Sequence, residues 1–266
     1  MKTMKRKPYV IRVSSQKGGV GKTTVAVNLG CALSDMGYGT LLVDADTANP
    51  SCGFYLGLED ANIGFVDVIS GKASPEKAIV KYNPTGLYVL PGTVHKGNYM
   101  ITEHQARAKA NLLKSLEYDF IIVDTPPGVF YRETNNAYDE ALVLTIPTMS
   151  ATTSAMRLAH LYDKEEMRHS LVVNRVRSKK FELSIGEIEG AYGSKSSAVV
   201  PEDDAVQESE SMHLPAYVSR RGSQFSRSID DLAMFIGNKS GTPLHRNTFI
   251  RRSFLYRLLR FLRIVG

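Results

Sequence analysis

Short apolar stretches alternate with helix-period patterns along most of this chain. The apolar stretches predict strands near residues 8–14, 40–44, 87–90, 119–123, 141–146, 170–174 and 197–200. The intervening patterns predict helices near 22–36, 50–57, 64–70, 75–79, 100–116, 131–138, 150–167, 182–191, 203–210 and 224–237. Regular alternation of strands and helices is typical of an α/β fold with a doubly wound, mostly parallel sheet.

A glycine-rich run follows the first predicted strand and leads into the first helix. Residues 14–24 read Ser-Ser-Gln-Lys-Gly-Gly-Val-Gly-Lys-Thr-Thr. Glycines let the backbone curl so that its N–H groups point inward, where they and the helix N-terminus bind phosphate. The predicted phosphate-binding residues are Lys17, Gly18, Gly19, Val20, Gly21, Lys22, Thr23 and Thr24. The run therefore predicts a nucleotide site of the P-loop kind.

Three residues of this loop have separate predicted roles. Lys22 reaches the β- and γ-phosphates, Thr23 is a ligand of Mg2+, and Thr24 donates to the α-phosphate. The loop departs from the usual Gly-x4-Gly-Lys-Thr spacing, because Gln16 stands where the first glycine belongs and Lys17 is an additional cation.

Two further predicted strands end in aspartates. Phe120-Ile121-Ile122-Val123-Asp124 reads as a buried strand, and Leu41-Leu42-Val43 runs into Asp44 and Asp46. Ligands of open parallel sheets bind at the carboxyl ends of the strands. Asp124 is a candidate Mg2+ ligand through a water, while Asp46 is a second metal candidate and is placed to orient or deprotonate an attacking water. For Asp44, a role in the site and a role as a helix cap or ion-pair partner stay open.

Composition narrows the class of protein. The 266 residues are 43% hydrophobic, enough for one domain with a sizeable core. The two cysteines, Cys31 and Cys52, favour a reducing compartment and exclude a disulfide framework. They also argue against iron–sulfur cluster carriers, which need paired cysteines. The basic start has no apolar core after it, and no 18-residue apolar run occurs, so we expect a cytoplasmic protein without a signal peptide or membrane span.

The positive charge is concentrated at the C-terminal end. Of 33 Lys and Arg, seven lie after Asn238, whereas none of the 27 Asp and Glu does. Residues 1–238 therefore have a net charge of −1, although the chain as a whole is +6. A nucleic-acid-binding ATPase would more often carry its basic patch on the body, so this distribution disfavours nucleic acid as a partner.

The C-terminal segment, residues 249–266, predicts an amphipathic helix. At about 100° per residue, four arginines share one half of its circumference, and a fifth, Arg251, lies on the other half. The apolar half carries Ile250, Phe254, Leu255, Leu258, Leu259, Phe261, Leu262 and Val265. Arginine beside bulky apolar residues is typical of a helix lying in an anionic membrane surface. A helix packed on the domain would bury one face equally well, and that alternative stays open.

Three motifs together resemble the MinD/ParA family of P-loop ATPases, and later stretches resemble its MinD branch. The motifs are Lys-Gly-Gly-Val-Gly-Lys-Thr-Thr at 17–24, Val-Asp-Ala-Asp at 43–46 and Val-Asp-Thr-Pro-Pro-Gly at 123–128, and the resemblance covers about residues 8–237. It implies that Lys17 crosses a homodimer interface to the partner's ATP. It also implies adenine contacts from Asn174 and Arg175, with Pro201, Glu202 and Asp203 close by. The loops at 47–52 and 129–133 depart from the family, which leaves the activating partner open.

The resemblance and the tail lead to one expected organisation. Residues 1–237 form the ATPase domain, 238–248 a linker and 249–266 a membrane helix, as the MinD branch also carries. We expect ATP and Mg2+ as ligands, an ATP-bound homodimer, peripheral binding to the cytoplasmic face of the membrane, and an unidentified activating or cargo protein. The positioned structure, a division site or a surface appendage or array, stays open. The alternative is a ParA-like partitioning ATPase whose basic tail binds DNA.

Overall fold

Eight strands form one sheet in the computed structural model, which describes residues 7–58, 60–93, 103–128 and 137–242. The strands are β1 (Tyr9–Ser14), β2 (Thr40–Asp44), β3 (Val80–Tyr82), β4 (Leu87–Leu90), β5 (Phe120–Asp124), β6 (Glu140–Thr145), β7 (His169–Val176) and β8 (Ser196–Pro201). Their order is β3-β4-β2-β5-β1-β6-β7-β8. Every neighbouring pair is parallel except β3 and β4. The predicted doubly wound, mostly parallel sheet is confirmed.

Ten helices of the described residues connect and cover these strands. They are α1 (Lys22–Asp35), α2 (Cys52–Leu56), α3 (Phe65–Ile69), α4 (Pro75–Ala78), α5 (Glu103–Ser115), α6 (Met149–Lys164), α7 (Ile185–Tyr192), α8 (Asp204–Ser211), α9 (Ala216–Ser219) and α10 (Gln224–Ser240). None of these helices is long and apolar enough to cross a bilayer.

The sheet is buried on both faces, because successive side chains of a strand point to opposite sides. In β5, Phe120 and Ile122 belong to the core cluster that includes α1, α9 and α10, whereas Ile121 and Val123 belong to the cluster on the other face, which includes α3, α6 and α7. This two-sided burial explains why the central strands are continuous apolar runs rather than alternating ones.

Several elements differ from the sequence prediction. β3 and α9 were not predicted, since each is only three or four residues long. Helix α10 continues to Ser240, past the boundary predicted at residue 237, and ends at Gly241, whose φ is +62°. Most of the helix predicted at 131–138, and the whole C-terminal helix at 249–266, lie outside the described residues.

The central strands bring the candidate residues to one edge of the sheet. β5 lies between β1 and β2, and its register places Asp124 opposite Asp44 on one side and Val13 on the other. The glycine-rich run leaves β1 at this same edge. The topology therefore collects the loop and the two acidic strand ends side by side.

Candidate nucleotide site

The loop between β1 and α1 depends on a glycine at its last position. Gly21 is the N-cap of α1 with φ 90° and ψ 31°, a left-handed conformation. A Cβ there would also lie 2.4 Å from the Nδ2 atom of Asn174. Both conformation and space thus require glycine. No side chain caps the first turn of α1, so its N–H groups remain for an anion.

A lysine, a threonine and an aspartate meet beneath the loop. Lys22 is 9% exposed. Burial lowers the pKa of its ammonium group, and the neighbouring charges of Asp124 and Asp46 only partly offset this shift. The Thr23 hydroxyl donates to Asp124 Oδ2 at 2.6 Å, whereas Asp124 Oδ1 is buried and has no hydrogen bond among the described residues. Burial raises the pKa of Asp124 to about 6. A hydroxyl beside a buried carboxylate oxygen without a partner fits a hard divalent cation.

The other two aspartates, Asp44 and Asp46, accept hydrogen bonds from the backbone after β2. Asp44 Oδ2 accepts from the backbone N–H groups of Ser51 and Cys52, both at 2.9 Å, so Asp44 holds the start of α2. Burial, then the charge of Asp124, raises the Asp44 pKa to about 7. Asp46 is half-buried, and its Oδ1 accepts from the N–H groups of Ala48 and Asn49. These bonds give the Asp46 carboxylate a fixed direction near Lys22.

Cys52 lies against this acidic pair. Its Sγ donates to Asp124 Oδ2 at 3.7 Å, and both cysteines are free and buried. Burial and the two neighbouring carboxylates raise the pKa of the Cys52 thiol well above its usual value. Cys52 is therefore a protonated donor to Asp124.

A cavity of about 310 Å³ opens beside the loop. From the predicted set, it is lined by Gly19, Gly21, Lys22, Thr23, Thr24, Asn174, Arg175, Pro201, Glu202 and Asp203. Residues from three parts of the sequence that were predicted to bind one nucleotide thus surround one space. Val20 is fully buried, and neither Lys17, Gly18 nor Asp46 lines the cavity.

The wall of the cavity formed by the end of β7 is hydrogen-bonded to the glycine-rich loop. Asn174 Nδ2 donates to the Val20 carbonyl at 2.8 Å, and a guanidinium N–H of Arg175 donates to the Gly19 carbonyl at 3.2 Å. Arg175 has a φ of 58° and pairs with Glu202, Nε to Oε2, at 2.7 Å. The β7 end and the glycine loop therefore hold each other in place.

Sequence reasoning missed one wall of the cavity. The additional lining residues are Tyr55, Val206, Gln207, Glu210 and Phe225, from α2, α8 and α10. The Tyr55 hydroxyl donates to Glu210 Oε1 and lies 3.0 Å from Thr24 Oγ1. No motif marks these residues, and only the packing of α2, α9 and α10 on α1, with α8 packed on α9, brings them to the cavity.

Lys17 extends away from the cavity. Its Nζ donates to the Ser150 hydroxyl, at the start of α6, at 3.2 Å, and its side chain is half-buried. Lys17 therefore does not contribute to the cavity of its own protomer.

Comparison with known proteins identifies the family. The profile of a family described as an AAA domain matches residues 8–172. The septum site-determining protein MinD of Thermotoga maritima is 33% identical over 255 residues, covering 91% of this chain and 92% of that protein. This chain belongs to the MinD/ParA family of P-loop ATPases.

Solved structures of MinD share the fold. MinD of Pyrococcus horikoshii, complexed with Mg-ADP, superposes with a TM-score of 0.78 at 29% identity, over 88% of this chain and 98% of that one. MinD in the MinC:MinD complex of Aquifex aeolicus gives 0.75 at 28% identity, over 86% and 96%. The predicted membership of the MinD/ParA family and its P-loop fold is thereby confirmed.

Proposed function

We propose that this chain is a MinD-like ATPase that binds and slowly hydrolyses ATP with Mg2+. The cavity beside the glycine loop carries the proposal, since it unites Lys22, Thr23 and Thr24 with Asn174 in one space. The Mg-ADP in the Pyrococcus horikoshii relative supports the same ligands here.

Different parts of the cavity would bind the phosphates, the Mg2+ and the base. The N–H groups of the loop and of the first turn of α1 bind phosphate oxygens, with Lys22 as the buried cation among them. Thr23 and Asp124 would hold Mg2+, which neutralises phosphate charge when bound. Asn174 and the loop from Pro201 to Asp203 form the base end of the cavity.

Asp46 is proposed to orient the attacking water. Its carboxylate lies beside Lys22 and is fixed by two backbone N–H groups, so its direction is set before a nucleotide binds. An oriented carboxylate can also accept the proton of that water.

Substitutions separate binding from hydrolysis. Lys22→Ala should abolish ATP binding because it removes the buried cation. Asp46→Ala should bind ATP but turn it over about 100-fold more slowly or worse. Calorimetric binding and phosphate release measure the two properties. Normal turnover by Asp46→Ala would refute its role.

Lys17 supports an ATP-dependent homodimer. It lies outside the cavity of its own protomer, so its family role, contact with the partner's phosphates, is available to it. Light scattering of Asp46→Ala with ATP should give a dimer, and with ADP a monomer. Lys17→Ala in that background should be monomeric with ATP, while Lys195→Ala, at a lysine 90% exposed, serves as the matched control. Equal masses with ATP and ADP would refute the proposal.

We also propose that residues 249–266 bind an anionic membrane surface reversibly. The dimer presents two such segments, so bivalent binding ties membrane affinity to ATP. Phe254→Glu with Leu258→Glu should abolish co-flotation with anionic vesicles and leave turnover intact.

A truncation tests the same segment and must spare α10. It should end after Thr242, because Lys239 in the last turn of α10 pairs with buried Glu140. Flotation of that truncated chain would refute the membrane role. Co-sedimentation with DNA rather than vesicles would instead support the ParA-like alternative.

The relatives support a proposal for the process and for the kind of partner. Septum site determination is the role named for MinD of Thermotoga maritima, and MinC is the partner in the Aquifex aeolicus complex. We propose spatial positioning of a cellular structure, such as the division site, with a protein partner of the same kind. The position of a fluorescent fusion in cells, with and without residues 243–266, tests it.

A further inference from the structure

Glu210 is the acidic side chain of the cavity that neither the phosphate chemistry nor the family motifs use. It lies on α8 and is half-buried. Its Oε1 accepts from the Tyr55 hydroxyl, whereas Oε2 has no hydrogen bond among the described residues. One carboxylate oxygen at the cavity wall therefore remains for a donor of a ligand.

Tyr55 fixes the direction of this carboxylate. Burial, and the hydrogen bond to Glu210, raise the pKa of Tyr55 far above its usual value, so its hydroxyl keeps its proton. The Tyr55 hydroxyl donates its single proton to Glu210, so the Thr24 hydroxyl donates to Tyr55. The chain Thr24–Tyr55–Glu210 links the first turn of α1 to α8.

Glu210 lies between the residues that are predicted to contact the two ends of a nucleotide. On one side, Tyr55 connects it to Thr24, the predicted α-phosphate contact. On the other side, its charge acts on Arg175, the neighbour of the base-contacting Asn174. In a nucleotide, the sugar joins the α-phosphate to the base. A carboxylate between these two ends faces the sugar, and in the dinucleotide sites of doubly wound folds a carboxylate accepts from a ribose hydroxyl.

We propose that Glu210, positioned by Tyr55, accepts a hydrogen bond from a ribose hydroxyl and makes this ATPase selective for ribonucleotides over deoxynucleotides. This inference rests on the proposed nucleotide binding and adds a determinant of specificity to it. A bound nucleotide covers an acceptor at the cavity wall, so the site rejects a ligand without the matching donor, because that acceptor is then left unpaired.

Binding of ADP, 2′-deoxyADP and 3′-deoxyADP with Mg2+ to the full chain tests the inference, since diphosphates avoid hydrolysis. We expect the wild-type chain to bind one deoxy analogue about tenfold more weakly than ADP. Glu210→Ala should reduce that ratio to about twofold or less by weakening ADP binding alone, and the analogue that reveals the ratio identifies the hydroxyl.

Three variants serve as controls. Glu208→Gln removes an equal charge from the same helix at an exposed site paired with Arg220, and it should keep the wild-type ratio. Glu210→Gln preserves the shape of the side chain and should give an intermediate ratio. Tyr55→Phe removes only the positioning hydroxyl and should also lower the ratio, which a purely structural contact would not do.

The outcomes separate the two proposals. If the wild-type chain binds all three diphosphates within about twofold, the ribose acceptor is refuted and the ATPase proposal stands. If Glu210→Ala keeps the wild-type ratio, Glu210 is likewise not the acceptor, and if Tyr55→Phe keeps it, Tyr55 does not position Glu210. Failure of the wild-type chain to bind any of the three would refute the nucleotide proposal itself, and the acceptor with it.

Discussion

The burial of individual carboxylates at the site lowers the stability of the folded chain. Asp124 and Asp44 are each about 1% exposed, and burial raises both pKa values. Because the folded chain holds the Asp124 proton more tightly than the unfolded chain, stability falls as pH rises from the unfolded pKa, 3.8, through about 6. The site therefore places negative charge where a cation is needed rather than where the fold alone would favour it.

This cost predicts a pH-dependent effect of Asp124→Asn. Between pH 4 and pH 7.5, the unfolding free energy of the variant should rise by about 2 kcal/mol relative to the wild type, since the variant has no charge to bury. Urea unfolding of the nucleotide-free proteins at both pH values measures the change. Glu208→Gln controls for loss of one exposed carboxylate, and a difference that is constant between the two pH values would contradict the prediction.

At the scale of elements, the last turn of α10 is tied to the amino-terminal edge of the sheet. Lys239 Nζ lies 2.5 Å from Oε1 of Glu140, which is fully buried at the start of β6. The Ser170 hydroxyl donates to the same oxygen, and the Tyr9 hydroxyl donates to Oε2 at 2.8 Å. One buried carboxylate thus joins β1, β6, β7 and α10.

We expect Lys239→Met to destabilise the chain by about 3 kcal/mol, because it leaves the Glu140 charge buried without its cation. Adding Glu140→Gln should recover a substantial part of that loss. A double-mutant cycle by urea unfolding measures the coupling between the two residues. Strictly additive effects would show that the pair contributes nothing beyond its separate contacts.

The sequence predicted the central strands and missed the short edge strand β3 for a physical reason. Strands such as β5 are buried on both faces and therefore read as continuous apolar runs. β3 (Val80–Tyr82) is an antiparallel edge strand with two exposed residues out of three, so its composition carries little signal. The turn between β3 and β4, with Asn83, Pro84 and Gly86, was the available cue.

The cavity likewise combines residues with a local sequence signal and residues without one. The glycine loop and the acidic strand ends are local motifs, and topology alone brings strand ends to one edge. Tyr55 and Glu210 reach the cavity only because α2 packs on α1 and α8 packs on α9, a long-range arrangement with no pattern in the sequence. The tail at 249–266 remains a prediction from sequence, since it lies outside the described residues.

For the whole molecule, the central place of β1 determines when the site can form. β1 is first in the sequence, yet its neighbours are β5 and β6, more than 100 residues later. During folding, the glycine loop at the end of β1 is therefore not held until these distant strands have paired, and such non-local pairing is slow. A nucleotide should bind only to a chain in which β1 has already paired with β5 and β6.

Because the loop assembles late, Mg-ADP should affect the refolding and unfolding rates differently. Mg-ADP should leave the refolding rate unchanged, because the loop is not yet assembled at the barrier. At ten times its dissociation constant, it should slow unfolding about tenfold, since the ligand then stabilises only the native side of the barrier. Stopped-flow refolding and unfolding, with and without Mg-ADP, distinguish this from a loop that forms early, for which the ligand would accelerate refolding instead.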